Sequence, residues 1–231
     1  ILENIEKQGA LSEDLRAKIE ACFDQTVLED LYAPFKKQRR TKASVAKEQG
    51  LEPLADFIWN QQLAEYTILE LAERLVDPAK SVLTPEEALL GAYHILAERV
   101  SLDAGARALI RARMLDEGKL VTAATKNATG QKTKFEAYYN HSEALKEVPS
   151  HRLLAILRGL RMGFLRMDLV IDDDKMLEEL LGYFLKQPGS CFEDHLRAVI
   201  TDAYKRLLRP SLENETVGIV RNAADEEAIR V

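Results

Sequence analysis

Nowhere in the 231-residue chain does an apolar run approach the roughly 20 residues a helix needs to cross a bilayer, and no basic-then-apolar signal segment opens it. A membrane or secreted protein is therefore not expected, and the chain reads as soluble and cytoplasmic. Cysteine is scarce. Cys22 and Cys191 are the whole complement, and neither belongs to a Cys-x-x-Cys pair, which argues against a disulfide framework or zinc knuckle. The four histidines, His94, His141, His151 and His195, never stand three or four residues apart, so no helix face offers two imidazoles to a metal. A P-loop, a Gly-x-Gly-x-x-Gly turn and a Gly-x-Ser-x-Gly elbow are also missing. Without these signatures the chain is expected to be no enzyme, to need no cofactor and to take no small-molecule substrate.

What is present is a balanced globular composition. Hydrophobic residues make up 46% and charged residues 30%, with 11 Gly and 7 Pro, enough to bury a core unaided. Helix signals recur along almost the whole length. Ser12 precedes Glu13 and Asp14 and reads as an N-cap, with Leu15, Ile19 and Cys22 or Phe23 as the buried stripe. In "LTPEEALLGAYHILAERV", Thr84 is a cap, Pro85 takes the first helical position, and Leu89, Tyr93, Leu96 and Val100 share a face. Asp103 and Gly118 bracket the next helix, and Ser150 and Gly159 a shorter one. Asp173 or Asp174 is expected to cap a helix through Phe184, and Ser190 to Leu208 to form a long amphipathic one. Pro210 allows a kink or break before a last helix from Leu212 to Val231. One short strand is expected within "GFLRMDLVIDDD", and the small, polar and basic run Val121 to Lys134 reads as a mobile loop. The fold expected is all-α: an elongated or bilobed multi-helix scaffold with at most one short β element.

Few residues look chemical. Ser150 beside His151 reads as a cap rather than a nucleophile with its base, and Asp172, Asp173 and Asp174 lack the Gly and distal Glu of a calcium loop. One stretch stands apart. Lys36, Lys37, Arg39, Arg40, Lys42 and Lys47 follow one another without an intervening acid in a chain of net charge -6. Repeated like charges are costly unless solvated or matched by an anion. Three readings stand: a solvated loop; weak pairing with Glu29, Asp30 and Glu48; or contact with phosphates, with Arg39 and Arg40 making forked contacts. The following "SVAKEQGLEPLADFI" looks like a helix-turn-helix. Its Pro53 and its acids Glu52 and Asp56 suit a packing turn better than a major-groove reader.

The same stretch, "LEDLYAPFKKQRRTKASVAKEQGLEPLAD", resembles a segment of the bacterial Tex family of transcription accessory proteins, with Ala33, Phe35 and Lys37-Gln38 as mild departures. "ALLGAYHILAERVS", "KFEAYYNHSEALKEVPSHRLLAILRG" and "DAYKRLLRPSLENE" through "ADEEAIRV" resemble further family segments in the same order. The resemblance covers nearly the whole chain. It implies the helical N-terminal half of a multidomain nucleic-acid-binding factor, whose RNase H-like, helix-hairpin-helix and S1 domains would lie outside this chain. The missing initiator Met and the final helix without a stop signal also read as a piece of a longer protein.

Three portions are expected: residues 1–62, helix-turn-helix-like with the basic loop; 63–208, a central helical domain; and 209–231, a long connecting helix. Nucleic acid, RNA or DNA, is the expected partner, reached mainly through the absent domains. Lys36, Lys37, Arg39, Arg40 and Lys42 would add a weak, non-sequence-specific phosphate contact, with Lys126, Lys132 and Lys134 as a second. The rival reading is a docking platform, on which the basic loop meets an acidic protein surface such as the transcription machinery. On either reading, Val217, Val220 and Ile229 of the last helix are expected to be exposed.

Overall fold

The computed structural model describes residues 2–7, 9, 11–21, 40–128 and 132–230. They divide into two compact units, Ile1–Thr41 and Lys42–Val231. In the first, α1 (Leu2–Lys7) precedes α2 (Glu13–Glu20), and the Ser12 hydroxyl accepts from the Leu15 amide as the capping signal predicts. Ile19 is buried, while Cys22 and Phe23 lie outside the described residues.

The second unit is mostly helical around one small sheet. Its helices are α3 (Lys42–Glu48), α4 (Glu52–Asn60), α5 (Ile68–Arg74), α6 (Pro85–Leu102), α7 (Ala104–Glu117), α8 (Ser150–Arg161), α9 (Asp173–Phe184), α10 (Glu193–Asp202) and α11 (Arg209–Arg230). Thr84 and Asp103 cap α6 and α7, and Gly118 ends α7. The axis of the core is α6, which packs against α3, α4, α5 and α10. Contact on several sides explains why its buried set is wider than the expected stripe. Ala88, Gly91, Ala92 and Ala97 are buried along with Ile95, Leu96 and Val100, whereas Leu89 and Tyr93 are half-buried. Small residues let the neighbouring helices approach closely, and each fully buried Ile or Leu contributes roughly 1.5–3 kcal/mol.

The turn between α3 and α4 is a packing device. Gly50 has φ +83, its N–H donates to the Lys47 carbonyl, and the Leu51 N–H reaches back to the Ala46 carbonyl. This is a Schellman end, which needs a residue at positive φ and therefore favours glycine. It drives Leu51, Leu54, Ala55 and Ile58 into the core, while the exposed Asp56 holds Arg99 at 2.7 Å.

Three antiparallel strands form the sheet in the order β2-β1-β3: β1 (Lys119–Ala124), β2 (Asn140–Ala144) and β3 (Leu165–Val170). The expected short strand is β3. Val121–Ala124, expected as loop, instead form most of the central strand, because β3 and β2 pair with β1 from both sides and long-range pairing outweighs local composition. The inward-facing Thr122 is buried with its hydroxyl donating to the Tyr138 carbonyl at 2.6 Å.

Two expected caps move. Asp172, not Asp173 or Asp174, accepts from the Lys175 amide at the start of α9. Ser150 opens α8 behind Pro149 without a capping bond, and its hydroxyl donates to Glu227 on α11. Gly159 does not close α8 but lies buried inside it, and the helix runs on to Arg161. The long helix expected from Ser190 starts at Glu193, and its later part is a π segment, Ala203–Leu208, that leads into α11 without a break at Pro210. The Arg209 N–H bonds the Tyr204 carbonyl five residues back; the wider turn accommodates a proline that cannot donate and would crowd an ordinary α turn. Of the apolar residues expected to be exposed on α11, Ile229 is, while Val217 and Val220 are half-buried.

Candidate nucleic-acid interface

The expected phosphate contacts fall into separate places. Lys36, Lys37 and Arg39 lie outside the described residues. Arg40 is exposed. Lys42 opens α3, exposed, and borders a groove between α3 and α6 with Gln49, Glu87, Leu90 and His94. Burial lowers the pKa of His94, and the nearby Lys42 charge lowers it further.

Lys126, Lys132 and Lys134 lie elsewhere, at the end of the sheet where β1 leaves it, and all three are exposed. Their backbone is anchored. The Thr125 N–H donates to the Phe164 carbonyl at 3.0 Å, its hydroxyl donates to the Gly163 carbonyl at 2.6 Å, and the Ala128 N–H closes a turn onto the Thr125 carbonyl. Phe135 is buried against Phe164, with ring centroids 6.0 Å apart, and its N–H donates to the Thr133 hydroxyl. Lys134 places its ammonium 5.5 Å from the Phe135 ring centroid.

The facing wall is the turn from α8 into β3. The Gly163 N–H donates to the Leu160 carbonyl and the Phe164 N–H to the Gly159 carbonyl, with Gly163 at φ +74, a second Schellman end. Arg158 and Arg161, three residues apart on the exposed side of the last turn of α8, and Arg166, exposed on β3 opposite Ala123 of β1, flank it. Three arginines thus join the lysines, and sequence reasoning missed them. The signal was present in "LRGLRMGFLR", but it reads first as a helix end, where cations suit the negative pole of the dipole, followed by a strand.

Several other charged sites are satisfied internally. Arg152, in the first turn of α8, holds Glu143 at 2.6 and 2.7 Å, and this bond, followed by that from His141, keeps the Glu143 carboxyl below the usual glutamate range. Asp173 accepts from Tyr204 and Arg209. A cleft of about 420 Å³ between α9 and α10 is lined by Lys175, Glu178 and Arg197, and Arg197 is already paired with Glu178 and Glu193. His195 shares a 2.6 Å hydrogen bond with the Tyr93 hydroxyl, and His151 is exposed. Among the described residues no group of three or more His, Cys, Asp or Glu is placed to hold a metal, and no helix is long and apolar enough to cross a membrane.

Comparison with known proteins places the chain in a family. Residues 65–231 match the family described as Tex central region-like. The chain is 35% identical to the protein YdcI of Bacillus subtilis over all of its own length and 32% of that protein's. It is 34% identical to the transcriptional accessory protein Tex of Neisseria gonorrhoeae, covering all of this chain and 31% of that one. It is 26% identical to the S1 RNA-binding domain-containing protein 1 of Pongo abelii, over 99% of this chain and 24% of the other. The chain therefore spans about a third or less of the length of these curated relatives.

Proposed function

The chain belongs to the Tex family, and from that membership we propose that it is the helical scaffold of a nucleic-acid-binding transcription accessory factor, with no active site of its own. On this reading the scaffold adds a weak, non-sequence-specific phosphate contact through Lys36, Lys37, Arg39, Arg40 and Lys42 and through Lys126, Lys132 and Lys134. The names of two relatives, one a transcriptional accessory protein and one an S1 RNA-binding domain-containing protein, support a nucleic-acid role for the whole protein. The observation that carries the phosphate contact is the exposure of Lys126, Lys132 and Lys134, beside backbone anchored at Thr125, Ala128 and Phe135, without an acidic partner among the described residues. A second reading, a protein-docking scaffold, draws on Ile219 and Ile229, which stand exposed along α11.

Fluorescence anisotropy with labelled single- and double-stranded DNA and RNA, at several salt concentrations, separates the two. The chain is expected to bind all four weakly. The quadruple change Lys36→Ala, Lys37→Ala, Arg39→Ala, Arg40→Ala is expected to weaken binding, with a salt slope shallower by up to about 0.9 for each duplex phosphate left uncontacted. Absence of binding at low salt would reject the phosphate contact and leave the docking reading.

A further inference from the structure

Arg158, Arg161 and Arg166 differ from most arginines of their unit in having no acidic partner. Arg107 and Arg111 both hold Glu215, Arg113 holds Glu117 and Glu179, Arg152 holds Glu143, and Arg197 and Arg209 hold carboxylates as well. For Arg158, Arg161 and Arg166 no such bond exists among the described residues, and the same is true of Lys126, Lys132 and Lys134. These six cations are carried by segments that touch. Thr125 bonds both Gly163 and Phe164, a side chain on Gly163 would come 3.8 Å from the Asn127 amide, and Phe135 packs on Phe164. The acids carried on or beside these segments are Glu136 and Asp168, both exposed.

We infer that these six side chains form one binding surface for the phosphate backbone of nucleic acid, with Arg158, Arg161 and Arg166 as its principal contacts. The inference rests on the nucleic-acid reading above and names the site within it. Holding six cations without an acidic partner, beside only Glu136 and Asp168, costs free energy that an external polyanion recovers. Arginine makes forked, charge-assisted bonds to phosphate oxygens, so an unpaired set of three is better suited than lysine alone. Two Schellman-type bonds, the Thr125 bonds and the Phe135–Phe164 contact hold the described parts of these segments in place before any ligand arrives, so little order must be created there on binding.

An anionic lipid surface is the weaker match. Interfacial binding draws on apolar side chains that insert, and the large apolar residues exposed on these segments, among those described, are Met162 and, at the far end of β3, Val170. Among the described residues, the aromatic side chains of these segments are engaged with each other, Phe135 buried and Phe164 packed on it. Contact is therefore expected with backbone rather than bases, and without sequence preference.

The test is a salt-dependent anisotropy titration of a labelled duplex against the chain, a triple variant Arg158→Ala, Arg161→Ala, Arg166→Ala, and the matching triple change to Lys, with thermal melts to confirm that each folds. The triple Ala variant is expected to bind about tenfold more weakly or worse, with the slope of log affinity against log salt reduced by up to about 2.7 when three phosphates are no longer neutralised. The Lys variant is expected to keep the slope while binding less tightly than the parent. A parent that binds while the Ala variant binds with unchanged affinity and slope would overturn this inference alone. A parent that binds no nucleic acid at low salt would overturn the nucleic-acid reading as well. Arginine-dependent binding to phosphatidylserine vesicles, with the duplex bound equally by parent and variant, would reject nucleic acid as the ligand of this surface.

Discussion

Tyr204→Ala is expected to destabilise the Lys42–Val231 unit by about 3–5 kcal/mol, whereas Tyr204→Phe costs about 1 kcal/mol. The ring is fully buried in the π segment, so its removal leaves a cavity where α6, α10 and α11 converge. The hydroxyl adds a junction to that packing. It donates to Asp173 at 2.7 Å, and Arg209 reaches it at 3.2 Å. Arg209 also donates to the Leu169 carbonyl, while Glu213 accepts from the Leu169 N–H. One cluster thus ties α9, the π segment, α11 and the outer edge of β3 together. Burial, then the Glu213 charge, raises the phenol pKa, so the hydroxyl stays a donor at ordinary pH. The Phe variant loses that donor, but Asp173 keeps Arg209 and the cavity stays filled. Urea or thermal melts of the two variants check the difference, and an Ala variant as stable as the Phe variant would contradict the packing role.

Gly159→Ala is expected to cost about 1–3 kcal/mol by overpacking, although in a solvent-facing helix the same change would stabilise by up to about 1 kcal/mol. The added carbon would fall 2.6 Å from Leu165 Cδ1 and 3.1 Å from Phe135 Cδ1, and both neighbours are buried. Leu165 leads into Arg166 and Phe135 follows Lys134, so the strain falls on the two segments that hold the cations. Lower stability is therefore expected together with weaker duplex binding at a temperature where the variant is still folded. A variant that melts higher than the parent would show that α8 and β3 leave room for the extra methyl group.

Local rules made much of the helical scaffold legible. Thr84, Asp103 and Ser12 cap where side-chain chemistry says they should, and Gly50 separates two helices whose apolar faces turn inward. The failures have tertiary causes. β1 and β2 are short, carry few β-branched residues and exist because three distant segments pair, which no window of sequence displays. Asp172 takes the cap, while Asp173 is held by Tyr204 and Arg209, 31 and 36 residues further along the chain. Pro210 did not break the chain because a π turn ahead of it absorbs the misfit. The candidate interface was half legible. Lys126, Lys132 and Lys134 were visible as a basic run, but Arg158, Arg161 and Arg166 belong with them only once β3 lies beside β1 and Gly163 meets Thr125.

The most direct measurement is a lysine-labelling footprint. The chain, free and mixed with a duplex at low salt, is acylated briefly, and modification at each lysine is read by mass spectrometry. Lys126, Lys132 and Lys134 are expected to be protected by the duplex and to regain reactivity as salt is raised, while Lys146, paired with Asp116, and Lys186, bonded to the Asn60 carbonyl, react alike in both samples. A duplex that binds while those three lysines stay fully reactive would contradict a phosphate-binding surface at this end of the sheet.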